Sequence, residues 1–567
     1  MKNIFMKIIL MILLMTITSF SQIRDSIVYI PGETINRDTT VIIITNDTLN
    51  VCAGDTIRIV YIQLLPTIAW NYIYIEIPRD TICEPIIIDS TYVPPDPTSG
   101  NNYYMDKDAN GNNTGTSWIN AWISFNNIDW GIIQPGDIIY ISGGTDSTIY
   151  YETLEIGNVQ GTAANPITVI AGKYAPNPSG HSGRVIIDGG NYPNPGSRVW
   201  NIYLGHDGGL PWGPEYITIK GLESRGALNG AELEGKGNVI VFDSLTIYHW
   251  WDLAGILARG DGYDNTFSGI DSTIVKNCTI ISDVNWGVQT DGIYIGGATN
   301  TIIHNNYVRM RSQDEYAHVD CIQSIYSQGF EIYNNVLIND SVYSPEGGGM
   351  PIILRNGDIS GDGLPVIIYN NFCYMGGIWQ IGANQGYVFN THVGDNWAGK
   401  SPTYLFHNTI IGNGPQLAGT SLEYFGKYDD GVFLNNIVAL FGDGTANRWT
   451  FGCNNGYVDS IRHNLVWNAY NDQQLFISNS WSYNWTGWIN AGGTGVNANP
   501  LFVDNIGYEP DQGAIRGDLQ SNSPAINQGE DLTYLINYLY NTYGKIIEWK
   551  DIYGNPRDNT PTIGAYE

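Results

Sequence analysis

The chain has 567 residues, of which only 14% are charged, and a formal charge of −29. A polyphosphate would be repelled by that charge, which excludes a general nucleic-acid binder; a polyanionic substrate would need a local basic patch or bound cations. Glycine numbers 67 and tyrosine 38, a balance that favours strands and turns over helices.

Residues 1–21 read as an export signal. Met1, Lys2 and Lys7 give a positive start, Ile8 to Ile17 is apolar but for Thr16, and Ser19 and Ser21 precede a cut before Gln22. The apolar run is too short to span a bilayer, so a secreted protein with no membrane span is expected, and a monomer. Residues 22–92 hold short β-type runs such as Thr40 to Thr45 and Thr56 to Ile62, expected to form a small β domain. Within it, Asn50-Val-Cys-Ala-Gly-Asp-Thr-Ile-Arg resembles a strand pair of the Ig-like modules of secreted bacterial proteins. Cys52 and Cys83 lie here and could pair in an oxidising compartment. Residues 93–101, with Pro94, Pro95, Pro97, Ser99 and Gly100, read as a linker. Cys278, Cys321, Cys373 and Cys453 read as small buried hydrophobes, and no ligand spacing for zinc occurs.

From residue 102 onward the chain repeats. Seven runs place apolar residues either side of Asn, among them Ile274-Val-Lys-Asn-Cys-Thr-Ile, Ile302-Ile-His-Asn-Asn-Tyr-Val and Leu405-Phe-His-Asn-Thr-Ile-Ile. Matching the Asn as 277, 306, 335, 371, 408, 436 and 464 gives spacings of 29, 29, 36, 37, 28 and 28. Each period reads as one coil of a parallel solenoid, at least seven in all, with Asn supplying the left-handed backbone of a tight bend and an amide ladder along the stack. Leucine-rich and helical repeats are excluded, because neither the Leu consensus nor helical spacing is present.

Asn102-Tyr-Tyr-Met-Asp-Lys-Asp-Ala-Asn-Gly and Pro135-Gly-Asp-Ile-Ile-Tyr-Ile open this region; Asn499-Pro-Leu-Phe, Ser523-Pro-Ala-Ile-Asn-Gln-Gly, Asp551-Ile-Tyr-Gly-Asn-Pro-Arg and Ile563-Gly-Ala-Tyr-Glu close it. These segments resemble the secreted bacterial pectate-lyase-like proteins. The resemblance implies an all-β right-handed single-stranded parallel β-helix over residues 102–567, with a C-terminal cap from about 498, and leaves the chemistry open.

A second register aligns Gly255-Ile-Leu-Ala-Arg, Asp291-Gly-Ile-Tyr-Ile, Asp320-Cys-Ile-Gln-Ser, Met350-Pro-Ile-Ile-Leu-Arg and Gly377-Ile-Trp-Gln. With the shared Ile inward, Leu257, Tyr294, Gln323, Ile353 and Trp379 point out, and Arg259 and Arg355 follow two positions on. Aromatic faces beside amide and guanidinium donors suit a polysaccharide, so Tyr294, Gln323, Trp379, Arg259, Arg309 and Arg311 are candidate sugar contacts. Asp291 and Asp320 start neighbouring strands roughly 5 Å apart and could share a proton, hold a cation or act as acid and base; equally, each could cap a turn. Thr290-Asp-Gly-Ile and Val319-Asp-Cys-Ile resemble the two acidic strands of polygalacturonases, with Gln289 in place of Asn and Val319 in place of the proton-donating Asp. Inverting hydrolysis by that family's route should therefore fail. His318, beside Asp320, is a candidate base, and Arg355 a candidate to neutralise a uronic acid carboxylate. Asp358 and Asp362 form an acidic loop that could hold Ca²⁺; Asp106-Lys-Asp-Ala-Asn-Gly matches the first half of an EF-hand loop but lacks its closing Glu. The expected function is a secreted polysaccharide lyase acting on a uronic-acid-containing glycan, with Asp291, Asp320, His318 and Arg355 at the polar centre. A non-catalytic glycan binder or adhesin, or a glycoside hydrolase with a non-standard acid, is the competing reading.

Overall fold

The computed structural model describes the backbone of 26–28, 40–42, 48–51, 56–62, 70–76 and 84–87, and then residues 100–566 apart from 158, 191–197, 206–212, 261–268, 283–289, 312–318, 340–349, 357–363, 377–388, 393–401, 414–419, 426–430, 442–448, 454–457, 469–475, 479–480 and 504–516. The signal segment, Cys52 and Cys83 lie outside the described residues. Two compact units divide between Asp96 and Pro97. The first holds a four-stranded sheet in the order Ser26–Val28, Thr40–Ile42, Thr56–Ile62, Trp70–Glu76, and an antiparallel pair, Thr48–Val51 with Glu84–Ile87.

The second unit is a right-handed parallel β-helix. One coil shows the plan. Asp291–Gly296 lies in a first sheet, Ala298–His304 in a second, a two-residue turn follows, and Tyr307–Met310 lies in a third. The next coil repeats this, except that Ile322–Tyr333 runs through the first and second sheets as one strand. Among the described residues the third sheet has twelve strands, from Ser147–Tyr150 to Gly495–Val496. No described helix is long and apolar enough to cross a membrane.

Strand alternation sends one side chain in two into the coil, and parallel register stacks like upon like. In the second sheet Ile219, Phe242, Val275, Ile303, Ile332, Ile368, Leu405, Phe433 and Ile461 form one inward column. All are buried; each contributes on the order of 1.5–3 kcal/mol by leaving water.

The turn after the second sheet divides its work between two adjacent positions. The left-handed backbone falls on Ser244, Asn277, Asn305, Asn334, Asn370, His407, Asn435 and His463, with φ between 51° and 56°. The ladder forms one residue later. Asn306 Nδ2 donates to Asn335 Oδ1 at 3.0 Å, Asn335 to Asn371 at 2.9 Å, and Asn371 to Asn408, Asn408 to Asn436 and Asn436 to Asn464 at 3.0 Å each. Asn277 therefore corresponds to Asn305, not to Asn306, and the ladder position of its coil is Cys278, whose N–H donates to Asn306 Oδ1. Where the next residue is also Asn, sequence spacing alone allows either choice; the backbone conformation decides it.

The tail folds back along this turn. Leu532, Leu535, Leu539 and Ile547 pack on Tyr369, Phe406 and Leu434, while Ile563, Ala565 and Tyr566 pack on Phe372, Ile411 and Ile437. Between these two clusters Arg557 Nη2 donates to Asn370 Oδ1, Glu530 N–H to Asn435 Oδ1 and Gly564 N–H to Asn435 O.

Candidate functional site

The outer face of the first sheet holds two columns of side chains, among them the expected contacts Arg259, Tyr294 and Gln323. Backbone pairing places Glu155, Tyr203, Glu232, Leu257, Tyr294, Gln323 and Ile353 in one column, with Asn390 after Ile353. The expected column thus holds from Leu257 to Ile353. It then departs: the strand that pairs with Ile352–Asn356 is Phe389–His392, so Asn390 takes the place expected for Trp379, which lies outside the described residues. Two positions further on, a parallel column runs Glu234, Arg259, Gly296, Ile325, Arg355 and His392.

At the upper end of these columns four side chains meet. Arg259 Nη2 lies 2.6 Å from Glu234 Oε1 and 3.4 Å from Glu232 Oε1, and the Tyr203 hydroxyl donates to Glu234 Oε2 at 3.1 Å. Asn229 Nδ2 donates to Glu232 Oε2 at 2.9 Å, the Trp200 indole also hydrogen-bonds Glu232, and Trp200 stacks on Tyr203 with ring centres 4.2 Å apart. The Glu232 carboxylate is 1% exposed, whereas Glu234 and Arg259 are 37% and 33% exposed. Burial, with help from the Glu234 charge and against the opposing pull of Arg259, pushes the Glu232 carboxyl up to about 7. Burial and the Glu234 charge likewise push the Tyr203 hydroxyl well above its ordinary range.

The two expected aspartates sit elsewhere in the coil. By alternation from the inward Ile293 and Ile322, Asp291 and Asp320 fall on the inner side of the strand starts, and both are buried. Asp291 Oδ1 accepts from Asp320 N–H at 2.9 Å, and Asp320 Oδ1 from Met350 N–H at 2.5 Å. Asn229 Oδ1 does the same for the N–H groups of Leu253 and Ala254. Each acid holds the first N–H of the coil that follows.

Tyr294 is 2% exposed and packs with Ala254, Leu257 and Ile325, so its ring is a packing element and not an open platform; Gln323 beside it is half-buried. Arg309 belongs to the third sheet and Arg311 follows that strand, so neither joins Arg259 on the first sheet. The Arg355 backbone pairs with Ile325 and His392. The Arg355 side chain, His318, Asp358 and Asp362 lie outside the described residues, among which no group of three or more His, Cys, Asp or Glu side chains is placed to hold a metal. Glu232, Glu234 and Tyr203 are members of the cluster that sequence reasoning misses. Extending the register one coil upstream finds the two acids, because Gly230-Ala-Glu-Leu-Glu aligns with Gly255-Ile-Leu-Ala-Arg.

Fold and site together define a parallel β-helix with a polar cluster on the outside of one sheet. No family model matches the sequence, and no curated protein matches it. Solved structures similar to it include the pectate lyase Pel9A, 16% identical over 82% of this chain and 96% of that one, with a TM-score of 0.45. An alginate lyase from Paenibacillus sp. str. FPU-7 is 17% identical over 59% of this chain and 97% of its own (TM-score 0.31), and a rhamnogalacturonan lyase 14% over 79% and 99% (TM-score 0.29). The likeness is one of architecture.

Proposed function

We propose that this chain is a secreted polysaccharide-active protein that binds a uronic-acid-containing glycan along the outer face of the first sheet and cleaves it as a lyase. The observation that carries the reading is the Arg259 cluster: a cation and an open carboxylate, Glu234, in contact on the outer side of two paired strands. Elimination removes the proton on the carbon beside the uronate carboxylate. Its electron pair becomes the new double bond, and the bond to the departing sugar oxygen breaks. Arg259 would neutralise the carboxylate, which acidifies that proton, and Glu234 would accept it. Arg355 lies three strands along the same column, roughly 14 Å away, where a second uronate of the same chain would pass. His318 stays a candidate proton carrier, and Asp358 and Asp362 candidate calcium ligands. Asp291 and Asp320 stay candidates too, although the hydrogen bonds described above favour a capping role.

Hydrolysis is the second reading, and one observation favours it. Glu232 and Glu234 both reach Arg259 Nη2, so their Oε1 atoms lie no more than about 6 Å apart, near the separations used by carboxylate pairs in glycosidases, and one of them is held neutral to an unusually high pH.

Uronic-acid polysaccharides, with calcium or with chelator, separate these readings. A rise in ultraviolet absorbance from unsaturated ends, lost in Arg259→Ala, is the expected result. New reducing ends without that absorbance would replace elimination by hydrolysis. Retained binding without either product would leave a glycan-binding protein, and no binding would overturn the proposal. Activity lost only with chelator would assign a role to calcium.

A further inference from the structure

Glu232 is the least expected residue of the cluster. A carboxyl group 1% exposed on the outer face of a sheet costs more than the Gln or Leu that could fill the same space, unless its charge has a use. The charged and titratable groups described around it come from its own strand and its neighbours. Arg259 comes from the following strand, Glu234 from its own, and Tyr203 from the preceding one, with Glu155 beside Tyr203 one strand further back. Asn229 and Trp200 add uncharged donors. Glu234, not Glu232, makes the short contact with Arg259, so the guanidinium already has a counter-charge.

We propose that Glu232 is a positioning residue for a carboxylate subsite centred on Arg259, admitting the carboxylate of a uronic acid unit when it is neutral and repelling it when ionised. The inference rests on the glycan reading above and adds a control to it. With Glu232 neutral, Arg259 and Glu234 cancel, and an incoming carboxylate exchanges with Glu234 at the guanidinium. With Glu232 ionised, the same three groups carry one net negative charge beneath the entering anion. The burial that holds this carboxyl neutral to about 7 places the change near neutrality. Linkage runs both ways, so a bound carboxylate also holds the proton on Glu232 more firmly.

The test is calorimetric binding of galacturonate, guluronate and glucuronate hexasaccharides, and of their methyl esters, to the full chain between pH 6 and pH 8. The neutral fraction of Glu232 falls from about nine-tenths to about one-tenth over that range, so wild-type affinity for the acid oligosaccharide that binds should fall by roughly tenfold, while its ester binds without that trend. Glu232→Gln should bind at pH 8 as the wild type does at pH 6, with a flat profile, and Glu232→Asp should restore the slope. The proposal is overturned if Glu232→Gln keeps the wild-type slope, or if the esters show it as well. Absence of binding to every acid oligosaccharide at pH 6, by wild type and Glu232→Gln alike, is a different result: it removes the glycan reading and the subsite with it.

Discussion

Replacing Asn371 by Ala removes the middle rung of the ladder, and the cost can be worked from its bonds. Its Oδ1 accepts from the Asn335 backbone N–H at 3.1 Å and from Asn335 Nδ2 at 2.9 Å. Its Nδ2 donates to Asn408 Oδ1 at 3.0 Å, Ile332 O at 2.8 Å and Tyr369 O at 3.0 Å. Alanine leaves two donor hydrogens of Asn335 without an acceptor in a coil interior that is 0% exposed. At about 1–3 kcal/mol for each orphaned donor, with a cavity of amide size added, the loss should be about 4 kcal/mol. Asn306 offers the internal comparison. It stands at the head of the ladder, where Cys278 presents only a backbone N–H, so Asn306→Ala orphans one donor and should cost about 2 kcal/mol. Urea unfolding followed by tryptophan fluorescence measures both. Equal losses for the two variants, or less than about 1.5 kcal/mol for Asn371→Ala, would refute the assignment of stability to the continuous ladder.

Other consequences are smaller and equally open to measurement. Val239 is β-branched yet holds φ 52°, in a column where Asn300 and Gly329 take the same left-handed backbone; Val239→Asn should raise stability by about 1 kcal/mol in the same urea assay. Arg557 is 5% exposed and donates to Asn370 Oδ1 and to Gly564 O, so Arg557→Met should cost more than about 3 kcal/mol and open the tail to limited proteolysis. Burial pushes the Cys278 thiol up to about 12, so it should stay unreactive toward a thiol reagent at pH 8 until the chain unfolds. Glu232 binds its proton more tightly folded than unfolded, so its ionisation in the unfolded chain draws stability away as pH rises from the ordinary glutamate range to about 7, by about 3 kcal/mol; a melting temperature as pH-dependent in Glu232→Gln as in wild type would contradict this.

The coil is readable in the sequence because Asn stands at one or both of two adjacent turn positions in seven successive periods, from Asn277 to Asn464. The site is readable only where the register is pursued. Leu257, Tyr294, Gln323 and Ile353 align from the shared inward Ile, but the alignment begins one strand too late to include Glu232 and Glu234. It also expects Gly377-Ile-Trp-Gln beside Ile352–Asn356, where Phe389–His392 pairs. The alternation rule that sends Tyr294 and Gln323 outward also sends Asp291 and Asp320 inward, an implication already contained in the two-residue period of the strand. What the sequence withholds is burial: Tyr294 and Glu232 are both outward by period, yet neighbouring chain covers each of them.

A stack of coils is a string of nearly independent units, each joined only to the coil before and the coil after, so opening can begin at any point and spread one step at a time. The returning tail changes that arithmetic. Its contacts reach Glu331 through Lys545, Asn370 through Arg557, Asn435 through Glu530 and Gly564, and Arg462 through Glu530. A strap fastened across successive coils obliges them to open together or not at all. It turns a linear array into one cooperative block.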